Sequence, residues 1–346
     1  MKILIRATNW VGDAIMALPA LRAARAKFPQ AQIAIVARPY VADLYRDQQI
    51  CDDLLPYDPK NQHRGWRGRE ALVGDLRAKK YDVALLLQNA FDAAWLAWRA
   101  GVPERIGYAR DGRGLLLTKA IPVPRPGQIP PHEKFYYLEL LRRAGWVNHL
   151  EDDAHIALRV PDAARERATQ MLAETGARPS APRLAVGAGA SFGSAKCWPP
   201  DRFAKAINEF QSRFDVDVIL FGTPAEAAVS NAIAADLRRA PINLTGKTAI
   251  ADLPGLLSQC HLFLGNDSGA MHVAAAVGLP VVAIFGPTDP EGTSPVTRRA
   301  TLVQQKPYCS PCFLRRCPTD HRCMTAVTPA MVESALRFRF SEVRPA

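Results

Sequence analysis

The chain has 346 residues, with 44 Lys and Arg against 33 Asp and Glu, a formal net charge of +11, 48% hydrophobic and 22% charged residues. That length exceeds the roughly 250–300 residues one core usually serves and implies two domains. The composition excludes a disordered chain, and no apolar run approaches the ~20 residues of a membrane-spanning helix.

The first segment, Ile3-Leu4-Ile5, is interrupted by Arg6, too early for a signal-peptide core. A cytoplasmic protein with seven mostly reduced cysteines is therefore expected. The positive balance fits either simple solubility or an anionic partner: nucleic acid, a phosphorylated glycolipid or a membrane surface.

In chain order, Lys2–Ala7 is predicted as a strand. Asp13–Phe28 follows with helical periodicity, carrying Ile15, Leu18, Leu21, Ala24 and Phe28 on one side. Gln32–Ala37 is again a strand, and Tyr81–Leu87 is a continuous apolar run of the kind covered on both faces. Pro131–Ala144 reads as a helix with Phe135, Leu138 and Leu141 inward. After a polar stretch around Arg159–Arg167 a second series begins, with apolar runs at Arg183–Gly187, Val216–Phe221, His261–Leu264 and Val281–Phe285. Strand–turn–helix alternation argues for parallel α/β sheets. Two such series predict two doubly wound, Rossmann-like domains facing across a cleft, residues 1–160 and 161–346, with a hinge in 155–182.

Open α/β sheets bind ligands beyond the carboxyl ends of their strands. The first such turn is Thr8-Asn9-Trp10-Val11-Gly12-Asp13, without the G-x-G-x-x-G of dinucleotide binding. Asp13 reads either as a helix N-cap or as a carboxylate aimed into the cleft to take a proton from an acceptor hydroxyl. In the second half, Gly187-Ala188-Gly189-Ala190-Ser191 follows a strand and precedes Lys196 and Trp198-Pro199. Small residues allow close backbone approach and the lysine suits phosphate, although the spacing is not a Walker A motif. Glu226 falls in a first helical turn, where the dipole favours a carboxylate; it could equally accept from a ribose diol. Gly265-Asn266-Asp267-Ser268-Gly269-Ala270-Met271-His272 joins an apolar run to a helix of small residues. Free N–H groups at such a helix start suit a pyrophosphate. His272 reads as a packed helix residue or a ligand contact.

Five stretches together resemble the bacterial lipopolysaccharide heptosyltransferases of glycosyltransferase family 9. They are WVGDAIMALPAL, LLLQNAFDAAWLAWRAGVPERIGY, GASFGSAKCWPPDRFA, GNDSGAMHVAAAVGLPVVAIFGPTDP and CSPCFLRRCPTDHRC. The resemblance runs over nearly the whole chain. It implies the GT-B fold, with an acceptor-binding N-terminal domain and an ADP-sugar-binding C-terminal one. It also implies transfer of L-glycero-D-manno-heptose from ADP-heptose onto the heptose of the lipopolysaccharide inner core. By that likeness Asp13 is the catalytic base and Lys196 meets the diphosphate. Glu226 binds the ribose, and Asp267, Ser268 and Gly269 hold diphosphate and heptose, with Ser191, Thr248 and His272 as further donor-side positions. Attack opposite the leaving ADP inverts the anomeric carbon.

The acceptor, built on Kdo and heptose on lipid A, is anionic. Arginines at Arg64, Arg67 and Arg69, then Arg105, Arg110 and Arg113, would form a cationic face beside Asn89, each also readable as a solvated charge. No catalytic metal is expected. Cys309, Cys312, Cys317 and Cys323 form C-x2-C-x4-C-x5-C, which leaves open a structural zinc, packed reduced thiols or disulfides. A monomer is expected, peripheral at the cytoplasmic face of the inner membrane. The alternatives are a family member with another acceptor and, remotely, a basic nucleic-acid-binding protein, for which no RNA motif or finger is present.

Overall fold

The computed structural model describes residues 1–151 and 155–343. The chain divides into two units, Met1–Ile156 and Ala157–Ala346. The first holds six strands: β1 (Lys2–Arg6), β2 (Gln32–Ala37), β3 (Asp53–Pro56), β4 (Val83–Leu86), β5 (Glu104–Tyr108) and β6 (Lys119–Ile121). All pair in parallel, in the order β3-β2-β1-β4-β5-β6. The second holds β7 (Arg183–Gly187), β8 (Asp217–Phe221), β9 (Ile242–Asn243), β10 (Leu262–Asn266), β11 (Val281–Phe285) and β12 (Ala300–Gln304). Its order, β12-β11-β10-β7-β8-β9, repeats the first read from the other edge. Both sheets are therefore doubly wound α/β, as expected, and each has one switch point, β1/β4 and β7/β10. There the crossovers leave in opposite directions and open a crevice at the strand ends.

The apolar runs become strands because both faces are covered. β4, β10 and β11 are buried throughout. In the second unit Leu184, Val186, Leu264 and Ile284 of the sheet pack with Phe203 and Phe210 of the helix Pro200–Arg213 and with Leu336 and Phe340 of the helix Pro329–Ser341. Phe210, Phe214 and Phe340 form a triangle of rings with centroids 4.9–5.3 Å apart. The first unit has its own cluster, in which Leu4, Val36 and Leu86 of the sheet meet Leu72, Val73 and Leu76 of the helix Gly65–Lys79.

Two local expectations change. The expected helix Asp13–Phe28 is two helices, Val11–Met16 and Leu18–Lys27. Pro19 has no N–H to give the carbonyl four residues earlier, so the first helix stops and a second starts with Pro in its first turn. The first helix also starts two residues earlier than expected, so Asp13 is not an N-cap: Trp10 holds that place and Asp13 is the third helical residue. The division between the units, after Ile156, falls inside the span expected as a hinge, 155–182, which also holds the helix Asp162–Glu174.

Candidate active site

At the β1/β4 switch point the turn after β1 is tied down from beneath. Arg6, 3% exposed, reaches past its own strand end. Its guanidinium donates to the Ala7 carbonyl at 2.6 Å and to Asn9 Oδ1 at 2.8 Å. Burial, then the Arg38 charge, depresses it to about 10. The half-buried Asp13 follows in the helix Val11–Met16, which packs on the helix Glu133–Ala144. Tyr45 donates from its hydroxyl to the Ala14 carbonyl at 2.9 Å and braces that first helix.

This packing gathers groups that sequence reasoning missed. Glu133 opens the helix Glu133–Ala144, and its carboxyl is pushed up to about 7, first by burial, then by the charge of Asp13, against the pull of Arg110. Tyr137, one turn on, is raised by burial and then by Asp13 and Glu133. The only signal in the sequence was Glu133 at a helix start, a position that helix-dipole reasoning alone explains.

The candidate acceptor residues separate. Asn89 stands just past β4, donating to Tyr136 Oη at 3.0 Å and accepting from Arg113 at 3.0 Å. Arg113 is fully buried, and it also donates to the carbonyls of Tyr108, Gln88 and Leu86. It is an internal strut under the strand ends, not part of a cationic surface. Arg105 sits at the start of β5, toward the sheet edge opposite Asp13, and donates to the carbonyls of Leu116 and Val102 at 2.6 and 2.5 Å. The structure does not gather it with Asp13. Arg64 and Arg67 are exposed at the start of the helix Gly65–Lys79; that helix start follows the carboxyl end of β3, the edge Asp13 occupies.

At the β7/β10 switch point Lys196 and Asp267 meet. The ammonium lies 2.5 Å from Asp267 Oδ2, with side chains 11% and 5% exposed. Thr288 Oγ1 donates to the same oxygen at 2.7 Å. Asn266, fully buried, links β10 to the turn after β7: Oδ1 accepts from the Trp198 N–H at 3.1 Å and Nδ2 donates to the Ala188 carbonyl at 2.5 Å. Phe192 lies against Lys196, 4.8 Å from ammonium to ring centroid. Ser268 is the extended N-cap of the helix Gly269–Ala276, yet its hydroxyl makes no cap bond and is buried without a hydrogen-bond partner. A tethered cation beside an uncapped helix start is suited to bind an anion.

Glu226 comes to the same region. Its Oε2 accepts from the Thr223 N–H and hydroxyl at 2.7 and 2.9 Å, a capping box. The carboxyl also lies over Gly189, where any Cβ would fall 1.9 Å from Oε1. Thr248 is half-buried in the turn after β9, close to Gly246, whose N–H bonds the Gly222 carbonyl at 2.9 Å on the Glu226 side. Ser191 is exposed in the turn after β7, and His272 is 5% exposed within the helix Gly269–Ala276.

The cysteine-bearing segment frames this site by its backbone. The Ala195 N–H donates to the Arg315 carbonyl at 3.1 Å, and His321 Nε2 lies 2.7 Å from the Ala195 carbonyl. A Cβ at Gly193, with φ +155°, would stand 2.2 Å from the Arg315 oxygen. On the other side Cys312 and Phe313 donate their N–H groups to the Pro287 carbonyl, next to Thr288. All seven cysteines are free thiols. Cys323 is raised by burial and then by the nearby Cys312, Cys317 and Cys309. Among the described residues no group of three or more His, Cys, Asp or Glu side chains is arranged to hold a metal ion, so the zinc geometry considered from the spacing is not formed.

The sequence pattern described as glycosyltransferase family 9 (heptosyltransferase) matches residues 69–322. The chain is 30% identical over 310 residues to lipopolysaccharide heptosyltransferase 2 of Salmonella typhimurium, covering 88% of each. A solved structure of E. coli ADP-heptose LPS heptosyltransferase II superposes with a TM-score of 0.82 at 27% identity over 99% of both chains. A family 9 glycosyltransferase from Veillonella parvula shares the fold at a TM-score of 0.87 and 21% identity, over 99% of this chain and 97% of that one.

Proposed function

Because the chain belongs to glycosyltransferase family 9, we propose that it moves L-glycero-D-manno-heptose from ADP-heptose onto the heptose of the lipopolysaccharide inner core, with inversion. The two doubly wound units are the GT-B architecture, and the chain is a glycosyltransferase of the heptosyltransferase kind. The one observation that carries the donor assignment is the Lys196–Asp267 pair beside the uncapped start at Ser268 and Gly269.

In the step we propose, Asp13 takes the proton of the acceptor hydroxyl as its oxygen bonds to the anomeric carbon. The bond from that carbon to the diphosphate oxygen breaks and ADP leaves with the electron pair. Lys196, held in place by Asp267, and the N–H groups from Gly269 onward meet the charge that grows on the diphosphate. Glu226, with Oε2 engaged by Thr223, offers Oε1 to the ribose diol. Arg64 and Arg67 meet acidic groups of the acceptor. The enzyme acts as a monomer at the cytoplasmic face of the inner membrane.

The test is ADP release from ADP-heptose and a mono-heptosylated core acceptor. Release should need both substrates, and Asp13→Asn should lower it by roughly 10²–10⁴-fold with donor binding kept. Unchanged turnover in that variant would remove Asp13 as the base. Transfer to a core without heptose, or to a longer core instead, would reassign the acceptor within the family.

A further inference from the structure

The helix Phe91–Arg99 is built inside out. Its sheet-facing residues, Ala93, Ala94, Leu96 and Ala97, are buried and mostly small. Two of its large apolar residues face away: Phe91 is 50% and Trp98 46% exposed, while Trp95 between them is half-buried and also packs on the core cluster. The spacing i, i+4, i+7 puts these three rings within roughly 60° of arc on one side of the helix. Trp66, 62% exposed in the first turn of the helix Gly65–Lys79, extends the stripe, its ring 5.3 Å from that of Trp95. Large rings clustered on the outer face of two neighbouring helices mark an interaction surface.

Its chemistry selects one. The rings are flanked by Arg64, Arg67 and Arg69, and by Arg99, whose guanidinium lies 5.9 Å from the centroid of Trp66. The Arg99–Glu70 ion pair at 3.0 Å and the Arg69–Asp92 pair at 3.6 Å tie the two helices together, so the patch is one surface. Indole rings suit the headgroup level of a bilayer, and the exposed Arg64 and Arg67, which enter neither ion pair, suit anionic lipids. Both helices start at the carboxyl edge of the first sheet, the edge on which Asp13 stands. We propose that Trp66, Phe91, Trp95 and Trp98, with the surrounding arginines, dock the first unit on an anionic lipid bilayer, beside the place where a lipid-borne acceptor is met. The lipid nature of that acceptor rests on the function proposed above; the docking surface does not.

Full-length protein would be sedimented with vesicles of phosphatidylglycerol and phosphatidylethanolamine, and with neutral phosphatidylcholine vesicles as control. Binding to the anionic vesicles only is expected, falling at least tenfold in the double variant Phe91→Ser, Trp98→Ser. The same variant should lose transfer to vesicle-embedded acceptor while turning over a deacylated, water-soluble acceptor as the parent does. No binding of the parent to anionic vesicles would overturn the proposal, as would equal binding by the variant. So would a parent dimer that dissociates in the variant, which would assign the face to a second copy. Equal loss on both acceptors would place the rings in the fold or the acceptor site. If vesicle binding behaves as expected but no acceptor is ever heptosylated, the docking surface stands and the proposed function fails.

Discussion

Glu133 shows how burial and a charged neighbour together change what a residue is. A glutamate at a helix start is ordinarily ionised and stabilising. Here burial and the adjacent carboxylate hold the Glu133 proton up to about 7 instead of the usual 4.5. Between those values the folded protein keeps a proton that the unfolded chain has lost. Stability therefore falls as pH rises through that window, and the loss is complete above about pH 7. Glu133→Gln keeps the size and removes the titration. It should match the parent near pH 4.5 and exceed it by on the order of 2 kcal/mol at pH 8. Thermal unfolding of both proteins across that range checks this; a difference that does not vary with pH would show that Glu133 titrates normally. Arg113 makes the converse point: a residue that reads as surface charge is fully buried and bonded to backbone carbonyls.

The cysteine-bearing segment is the element for which the sequence left the most readings open, and its thiols are free. Its four-thiol spacing invites a metal reading, but its contacts are those of a clamp. One end holds Ala195, next to Lys196, and the other holds Pro287, next to Thr288 and so to Asp267. His321 takes the left-handed conformation at φ +57°, which histidine tolerates better than most residues. Its ring nitrogen lies 2.7 Å from the Ala195 carbonyl. Removing that bond in His321→Ala should loosen the lysine turn and raise the donor KM by roughly three- to tenfold, the worth of one hydrogen bond. The acceptor KM should stay the same. Steady-state kinetics with each substrate varied in turn tests the split, and an unmoved donor KM would show that the clamp does not serve the lysine.

On the scale of the molecule, each unit has its own six-stranded sheet and its own apolar cluster. Units with separate cores can unfold separately. Calorimetry should therefore resolve two transitions. If the second unit holds the nucleotide, as proposed, ADP should raise only one of them, by the equivalent of about 2.7 kcal/mol at a hundredfold excess over Kd. A single transition displaced as a whole would show one cooperative block. A shift of the other transition would move the nucleotide to the first unit.

The sequence by itself determined the two parallel sheets, because a strand covered on both faces has to be apolar along its length, and β4, β10 and β11 are. It also exposed the strand ends where Asp13, Lys196 and Asp267 stand, since small residues and polar turns punctuate those runs. The breaking of the first helix was legible in Pro19, had its missing N–H been weighed. Only the tertiary structure decided which side chains meet. Lys196 finds Asp267 across 71 residues, Asn266 joins two turns, and Glu133 enters the field of Asp13. Periodicity tells a residue which face it occupies. Strand order decides which crossover lies beside it, and with it the burial and neighbouring charge that give a carboxylate its chemistry.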